Sequence, residues 1–244
     1  MIDKTEQEMA KGTHVICEAS FSYQGNYCAV DLLKKTDKGW NIYEVKSTGT
    51  TDPKKFEKYY PDIAYQKWVL TQCGVNVTGT YLVCLNSNYI LEETLDLLGL
   101  FAIIDVSKAI ENEYEQVPRR VTQAALVLNS ETEPDIDLSE NCKKPYDCSF
   151  WIYCTRNLPK PNVFDLYNTL FKQKMEYYRN GIASFDDLRN LSLGAIQNTQ
   201  VETIFTGKPF INRDGIHKFL NSLYYPLYFL DFETMELAVP KIRG

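Results

Sequence analysis

Histidine is nearly missing from this sequence, and so is any excess of positive charge. The only histidines are His14 and His217. Neither is placed to serve a metal site, and His217, alone in the amphipathic run Gly215–Leu223, reads as a structural helix residue. Lys and Arg number 26 against 32 Asp and Glu, a formal net charge of −6. That balance gives no general electrostatic support for nucleic-acid binding, so any phosphate contact must come from a local patch. No apolar run approaches the length that crosses a bilayer, and Met1–Gly12 is too polar for a secretory signal. Paired CxxC motifs are absent as well. Seven cysteines without a secretory signal point to a reducing, cytoplasmic setting, where clustered cysteines bind metal more often than they form disulfides. What remains is ordinary: 44% hydrophobic and 24% charged residues in a chain of 244, enough for one large or two small domains with a real core.

The chemistry concentrates in one hairpin. Val15–Tyr23 is β-rich and ends in the turn signal Gln24-Gly25-Asn26. Tyr27–Lys34 and Trp40–Ser47 are two further β-rich runs joined by Thr36-Asp37-Lys38-Gly39. Alternation along a strand sends Ile42, Glu44 and Lys46 to one face, and Asp31 lies in the facing arm within pairing range. Two carboxylates suit a hard cation such as Mg²⁺, and a neighbouring lysine can orient water or offset phosphate charge. The same spacing also suits a plain surface hairpin with an i,i+2 Glu–Lys pair. Glu18 reads either as a solvent-facing strand residue or as a support for the metal site. Cys17 and Cys28 read as small core residues.

Thr50–Pro61 is polar and basic through Lys54, Lys55 and Lys58, either a solvated loop or a phosphate-contacting rim. Pro61 suits the first turn of a helix, in which Ile63, Gln66 and Leu70 fall on one stripe facing the sheet. A glutamine there needs a hydrogen-bond partner, which the site carboxylates or a metal-bound water would provide. Thr80–Leu85 is another strand, so strand–helix–strand predicts a right-handed parallel crossover and a mixed α/β sheet. Glu92–Leu100 and Val106–Leu128 are expected as helices, the second with Val121, Ala124, Ala125 and Leu128 on one face and Arg119 and Arg120 exposed. Ser130–Leu138 reads as a linker. It leads to Cys142-x5-Cys148-x5-Cys154, three thiols that could wrap a zinc ion or a 4Fe–4S cluster, each of which needs four ligands. Cys17, Cys28, Cys73, Cys84 or an outside ligand could complete the set. Asn162–Leu223 reads as a helical connector, with Val163–Tyr178 amphipathic, a stop at Gly181 and a cap at Ser184. Tyr224–Leu230 is a dense apolar strand delivering Asp231 and Glu233 to one face.

Asp31 followed by Glu44-Val45-Lys46 resembles the D…ExK signature of the PD-(D/E)XK nuclease superfamily, in particular its RecB-like branch. Glu18 matches the acidic residue of that branch's preceding strand, and Asp62–Leu70 looks like its glutamine-bearing helix. Leu70 stands where the motif commonly has an aromatic residue, with Trp68 nearby. Cys142, Cys148 and Cys154 resemble the cysteine cluster of the iron–sulfur members, and Tyr228–Thr234 resembles the first motif of DEDD (RNase H-like) exonucleases. In this order the set is similar to a bacterial family that joins a RecB-like nuclease to a DEDD-type domain.

The resemblance implies a restriction-endonuclease-like mixed sheet flanked by helices over residues 1–158, a helical connector over 159–222, and the first strand of an RNase H-like domain over 223–244. It implies a DNase using Mg²⁺ or Mn²⁺ held by Asp31, Glu44 and the Val45 carbonyl. Lys46 would position or deprotonate the attacking water, Gln66 would hold the geometry and Glu18 would support the metal. The 4Fe–4S cluster, with zinc as the alternative, would staple the C-terminal segment, its fourth ligand coming from a segment before Met1. Asp231 and Glu233 would be an incomplete second metal site without activity, so the chain reads as a fragment or a short member. The rival expectations are a non-catalytic nucleic-acid-binding or assembly module, and a longer protein whose DEDD-type domain carries the activity.

Overall fold

The β-rich runs become strands β1 (Val15–Tyr23), β2 (Asn26–Thr36) and β3 (Gly39–Lys46) in a computed structural model, which describes residues 1–49, 53–144, 146–235 and 237–243. A polar helix, α1 (Ile2–Ala10), precedes them and packs on β1, where the buried Thr5 hydroxyl accepts the Ser20 N–H at 2.9 Å. After β3 come α2 (Tyr60–Gln72) and β4 (Val77–Leu85), then α3 (Leu97–Leu100), β5 (Phe101–Asp105) and α4 (Glu111–Leu128). The strands among the described residues form one mixed sheet in the order β1-β2-β3-β4-β5. Neighbours pair antiparallel except β3 and β4, which run parallel through the α2 crossover.

Burial follows the alternation. Trp40, Ile42 and Glu44 of β3 are buried while Asn41, Tyr43 and Val45 are not. Ile63, Gln66 and Leu70 of α2 come down on that buried face beside Leu33, Ile42 and Leu82, and α4 packs on α2. Hydrophobic burial of this one face is what holds the crossover in place. Gly39 is needed at the hairpin turn. Its φ is +153°, and a Cβ there would meet the Asn76 carbonyl oxygen at 2.4 Å, the same oxygen that accepts the Trp40 N–H at 2.8 Å.

Four expectations are corrected. Glu92–Leu100 is helical only over Leu97–Leu100, because the Asp96 carboxylate accepts the Leu98 N–H at 3.0 Å and starts the helix there. Residues 101–105, next to it, are a strand that the sequence reading passed over, and α4 begins at Glu111 rather than Val106. Cys17 is exposed, not core, whereas Cys28 and Cys84 are buried. Tyr224–Leu230 has no strand structure, and its large apolar side chains other than Leu227 are exposed. A strand must share its N–H and C=O groups with a partner, no described strand pairs with this segment, and Pro226 lacks a donor.

Residues 133–232 form a second compact unit. It contains α5 (Trp151–Cys154), α6 (Phe171–Arg179), α7 (Phe185–Leu188), α8 (Ala195–Thr206) and α9 (Arg213–Asn221). Val163, Leu166, Phe185, Leu188 and Val201 make its small core. Ser184 caps α7 in a reciprocal box with Asp187, as the sequence indicated. The cysteine segment 142–154 falls within this unit, and its Pro145 lies outside the described residues.

Truncation tests the sheet–helix packing. Ile42 has no exposed surface, and Ile42→Ala is expected to cost roughly 2–5 kcal/mol, read as a lower urea midpoint with an unchanged slope.

Candidate active site

β2 and β3 are paired only from Leu32 opposite Tyr43 to Thr36 opposite Gly39. Beyond Leu32, β2 keeps β1 and parts from β3. The parting is built into both outer strands. Buried apolar positions run Cys28, Val30, then Leu33 in β2, and Ile16, then Ala19 and Phe21 in β1, so each strand changes its apolar alternation by one residue at the same level. The residue at the change in β1 is Glu18, with φ +53°, a left-handed conformation uncommon for a residue with a side chain. Its register opposite is Asp31, between the pairs Cys17–Leu32 and Ala19–Val30. Where the ladder stops, the Asp31 carboxylate takes over, and its Oδ2 accepts the Val45 N–H at 2.7 Å.

Glu44, one residue back, is a carboxylate with only 3% of its surface exposed. A buried charge must be paired and hydrogen-bonded, and two neighbours do this. Gln66 Nε2 donates to Oε2 at 2.8 Å, and Lys46 Nζ forms a short ion pair with Oε1. Lys46 also stands 3.6 Å from Asp62 Oδ2 and 5.5 Å from the centre of the Tyr59 ring. Burial pushes the Glu44 carboxyl above its ordinary value, with Lys46 and Gln66 pulling the other way and the Asp31 charge adding to the rise. For Lys46, burial works to lower the pKa, but Glu44, Asp62 and Asp31 outweigh it and hold the ammonium above its usual range.

Asp31, Glu44, Lys46 and Gln66 are thus drawn into one bonded group or its immediate margin. Glu18 is exposed, and its side chain makes no hydrogen bond or ion pair among the described residues. The sequence reading missed Asp62 and Tyr59 as members. The signal for Asp62 was its position four residues before Gln66, which puts both on one helix face. Of the basic stretch, residues 50–52 lie outside the described residues. Lys54 and Lys55 are exposed in a 3₁₀ turn, and Lys58 stands over the Tyr59 ring at 4.8 Å.

Among the described residues no group of three or more His, Cys, Asp and Glu side chains is positioned to hold a metal ion. A magnesium-type cation needs fewer, since it keeps several waters and binds through one or two carboxylates. Asp31 and Glu44 fit that donor set. Glu44 is a buried carboxylate whose pKa stays raised by desolvation even with Lys46 and Gln66 beside it, and Gln66 Oε1 is buried without a hydrogen-bond partner, an acceptor that a metal-bound water would satisfy. Cys142 closes a 3₁₀ turn and its carbonyl accepts the Cys148 N–H at 2.9 Å, while Cys154 ends α5 and is exposed. Asp231 and Glu233 are exposed outside any helix or strand.

The Glu44 shift gives a pH signature. The folded state binds the Glu44 proton more tightly than the unfolded chain, so its penalty is present at neutral pH and lifts as pH falls through the raised pKa toward 4.5. Urea midpoints from pH 7 to 5 should therefore fall less steeply, or rise, in the parent relative to Glu44→Gln. Parallel curves would show that Glu44 ionises as an exposed carboxyl.

Comparison with known proteins adds little to this geometry. No family model matches the chain, and no curated protein matches it. Among solved structures, the crystal structure of SSO0001 is similar at a TM-score of 0.24 and 12% identity, over 47% of this chain and 55% of that one. The match thus spans little more than half of SSO0001, and a score of that size carries no argument.

Proposed function

We propose that this chain is a metal-dependent nuclease that hydrolyses DNA phosphodiester bonds, on a restriction-endonuclease-like core of the RecB-like PD-(D/E)XK type. One observation carries the reading: a buried carboxylate, Glu44, shared between Lys46 and Gln66 and lying next to the strand end at which Asp31 is fixed. A surface hairpin has no reason to pull a carboxylate inside and brace it from a helix. Desolvated charge pairs of this kind cluster at functional sites.

Asp31, Glu44 and the Val45 carbonyl would hold Mg²⁺ or Mn²⁺, which supplies charge neutralisation at the phosphate and a water acidified for in-line attack. Lys46, kept in place by Glu44, Asp62 and the Tyr59 ring, presents a fixed positive charge to the phosphate and orients the attacking water. Gln66 fixes the Glu44 side chain through its amide. Glu18, on β1 opposite Asp31 of β2, adds negative potential at the margin of the site. Lys54, Lys55 and Lys58 line the approach as a phosphate-contacting rim, the local patch that an acidic chain requires.

The same reading gives Cys142, Cys148 and Cys154 to a structural 4Fe–4S cluster, with zinc as the alternative. It gives Tyr228–Thr234 to the start of a DEDD exonuclease-like domain, and places the protein in DNA repair, recombination or defence in the cytoplasm. No chemical step passes through the cysteines.

End-labelled single- and double-stranded DNA incubated with Mg²⁺ or Mn²⁺ should be cleaved by the parent. Lys46→Ala and Asp31→Ala, once shown to be folded, should each lose at least about 100-fold in rate, and Asp231→Ala should lose nothing. Equal cleavage by all of them would remove the activity from this site. No cleavage by any folded form would favour the binding-module reading.

A further inference from the structure

The second unit holds a cleft that the nuclease reading does not use. It lies between α5, the 3₁₀ turn Val163–Asp165 and α6, with a volume of about 380 Å³. Its wall is aromatic. Trp151 meets Phe164 edge-on with ring centroids 4.9 Å apart, and Phe171 lies 5.7 Å from Trp151 and 5.8 Å from Phe164. All three rings are only half-buried.

The polar groups lining it are mostly donors. Lys143 Nζ sits 4.9 Å above the Trp151 ring, with the exposed Asp147 carboxylate at 2.9 Å. Lys174 Nζ reaches in from α6 and donates to the Phe164 carbonyl at 2.8 Å, and among the described residues no carboxylate stands within ion-pair distance of it. Burial lowers the Lys174 pKa, Asp165 opposes this, and the like charge of Lys143 lowers it further. Asp165 is already engaged, because its Oδ2 accepts the Asn162 N–H at 2.9 Å. Asn162 Oδ1 accepts the Phe164 N–H at 3.0 Å, which leaves the Asn162 Nδ2 donor without a protein partner among the described residues.

We propose that this cleft seats one nucleotide of a single-stranded nucleic acid, its phosphate between Lys143, Lys174 and the Asn162 amide and its base against the aromatic wall. Two lysines and an amide donor line the same cleft, a set that suits an anion, and a phosphate accepts from several donors at once. A plain carboxylate ligand would meet the lysines and leave the rings unused. A nucleotide uses both, and sequence-tolerant stacking on aromatic side chains beside a basic groove is how proteins hold single strands. Duplex DNA keeps its base faces stacked and cannot reach such a wall. The inference does not rest on Asp31 or Glu44, which belong to the other unit.

The test is binding in EDTA, with cleavage switched off, by anisotropy of a labelled single-stranded oligonucleotide at several salt concentrations. Lys143→Gln and Lys174→Met should each weaken binding about five- to tenfold at low salt and reduce the salt slope by about one. Lys174→Arg should bind close to the parent, and Lys218→Gln, which removes an exposed lysine of α9 outside the cleft, should match it, which separates this site from general surface charge. Lys143→Gln alters an outer side chain, so it decides the matter if Lys174→Met fails to fold. Parent-like affinity and slope in the lysine variants, or no binding by the parent, would overturn the proposal. Equal binding of a duplex, or displacement by a free mononucleotide at equal concentration, would overturn its single-strand assignment.

Discussion

A carboxylate inside a sheet is the constraint on which the first unit depends. Glu44 follows the alternation of β3 into the buried face with Trp40 and Ile42, and a charge there would ordinarily unfold a small domain or be neutralised. The surroundings are arranged to tolerate it. Lys46 leaves the strand on the same side, α2 is placed so that an amide rather than an alkyl group faces the sheet, and Asp31 is turned by the change of alternation in β1 and β2 toward the Val45 N–H. Each accommodation has a cost of its own, including a left-handed Glu18 and an unsatisfied Gln66 oxygen. Such costs persist where something other than stability selects them.

Much of this was legible in the sequence because it follows from periods. A two-residue period placed Ile42, Glu44 and Lys46 together, and a helical period placed Gln66 between Ile63 and Leu70. The illegible parts depend on a single side chain overriding a propensity. Asp96 starts a helix at Leu97, cutting short the longer helix that Glu92–Leu100 suggested. Phe101–Asp105 becomes a strand because β4 offers it an edge, which no local pattern announces. Cys17 and Cys28 look alike in sequence, yet the altered alternation at Glu18 and Asp31 leaves one outside and one inside. Tyr224–Leu230 has the composition of a strand and none of its partners. Composition states a preference, and pairing has to be supplied from elsewhere.

The two units are stabilised in different ways. The sheet unit buries a continuous set of aliphatic side chains against α2. The second unit has a core of a few residues, supplemented by capping boxes at Asn162 and Ser184 and by contacts among half-buried rings. Large apolar side chains of α9, including Phe219 and Leu220, are more than half exposed. A unit with so little buried aliphatic surface relies on local hydrogen bonding for its shape.

Among the described residues, every side chain that hydrogen-bonds, ion-pairs or makes a ring contact with Glu44 or Lys46 lies between Asp31 and Gln66 in the sequence. The parallel strand β4 supplies backbone and bulk to that run but no functional group. Most of the chain can therefore change its letters freely while it goes on filling the same volume, and only a short stretch is held to particular chemistry.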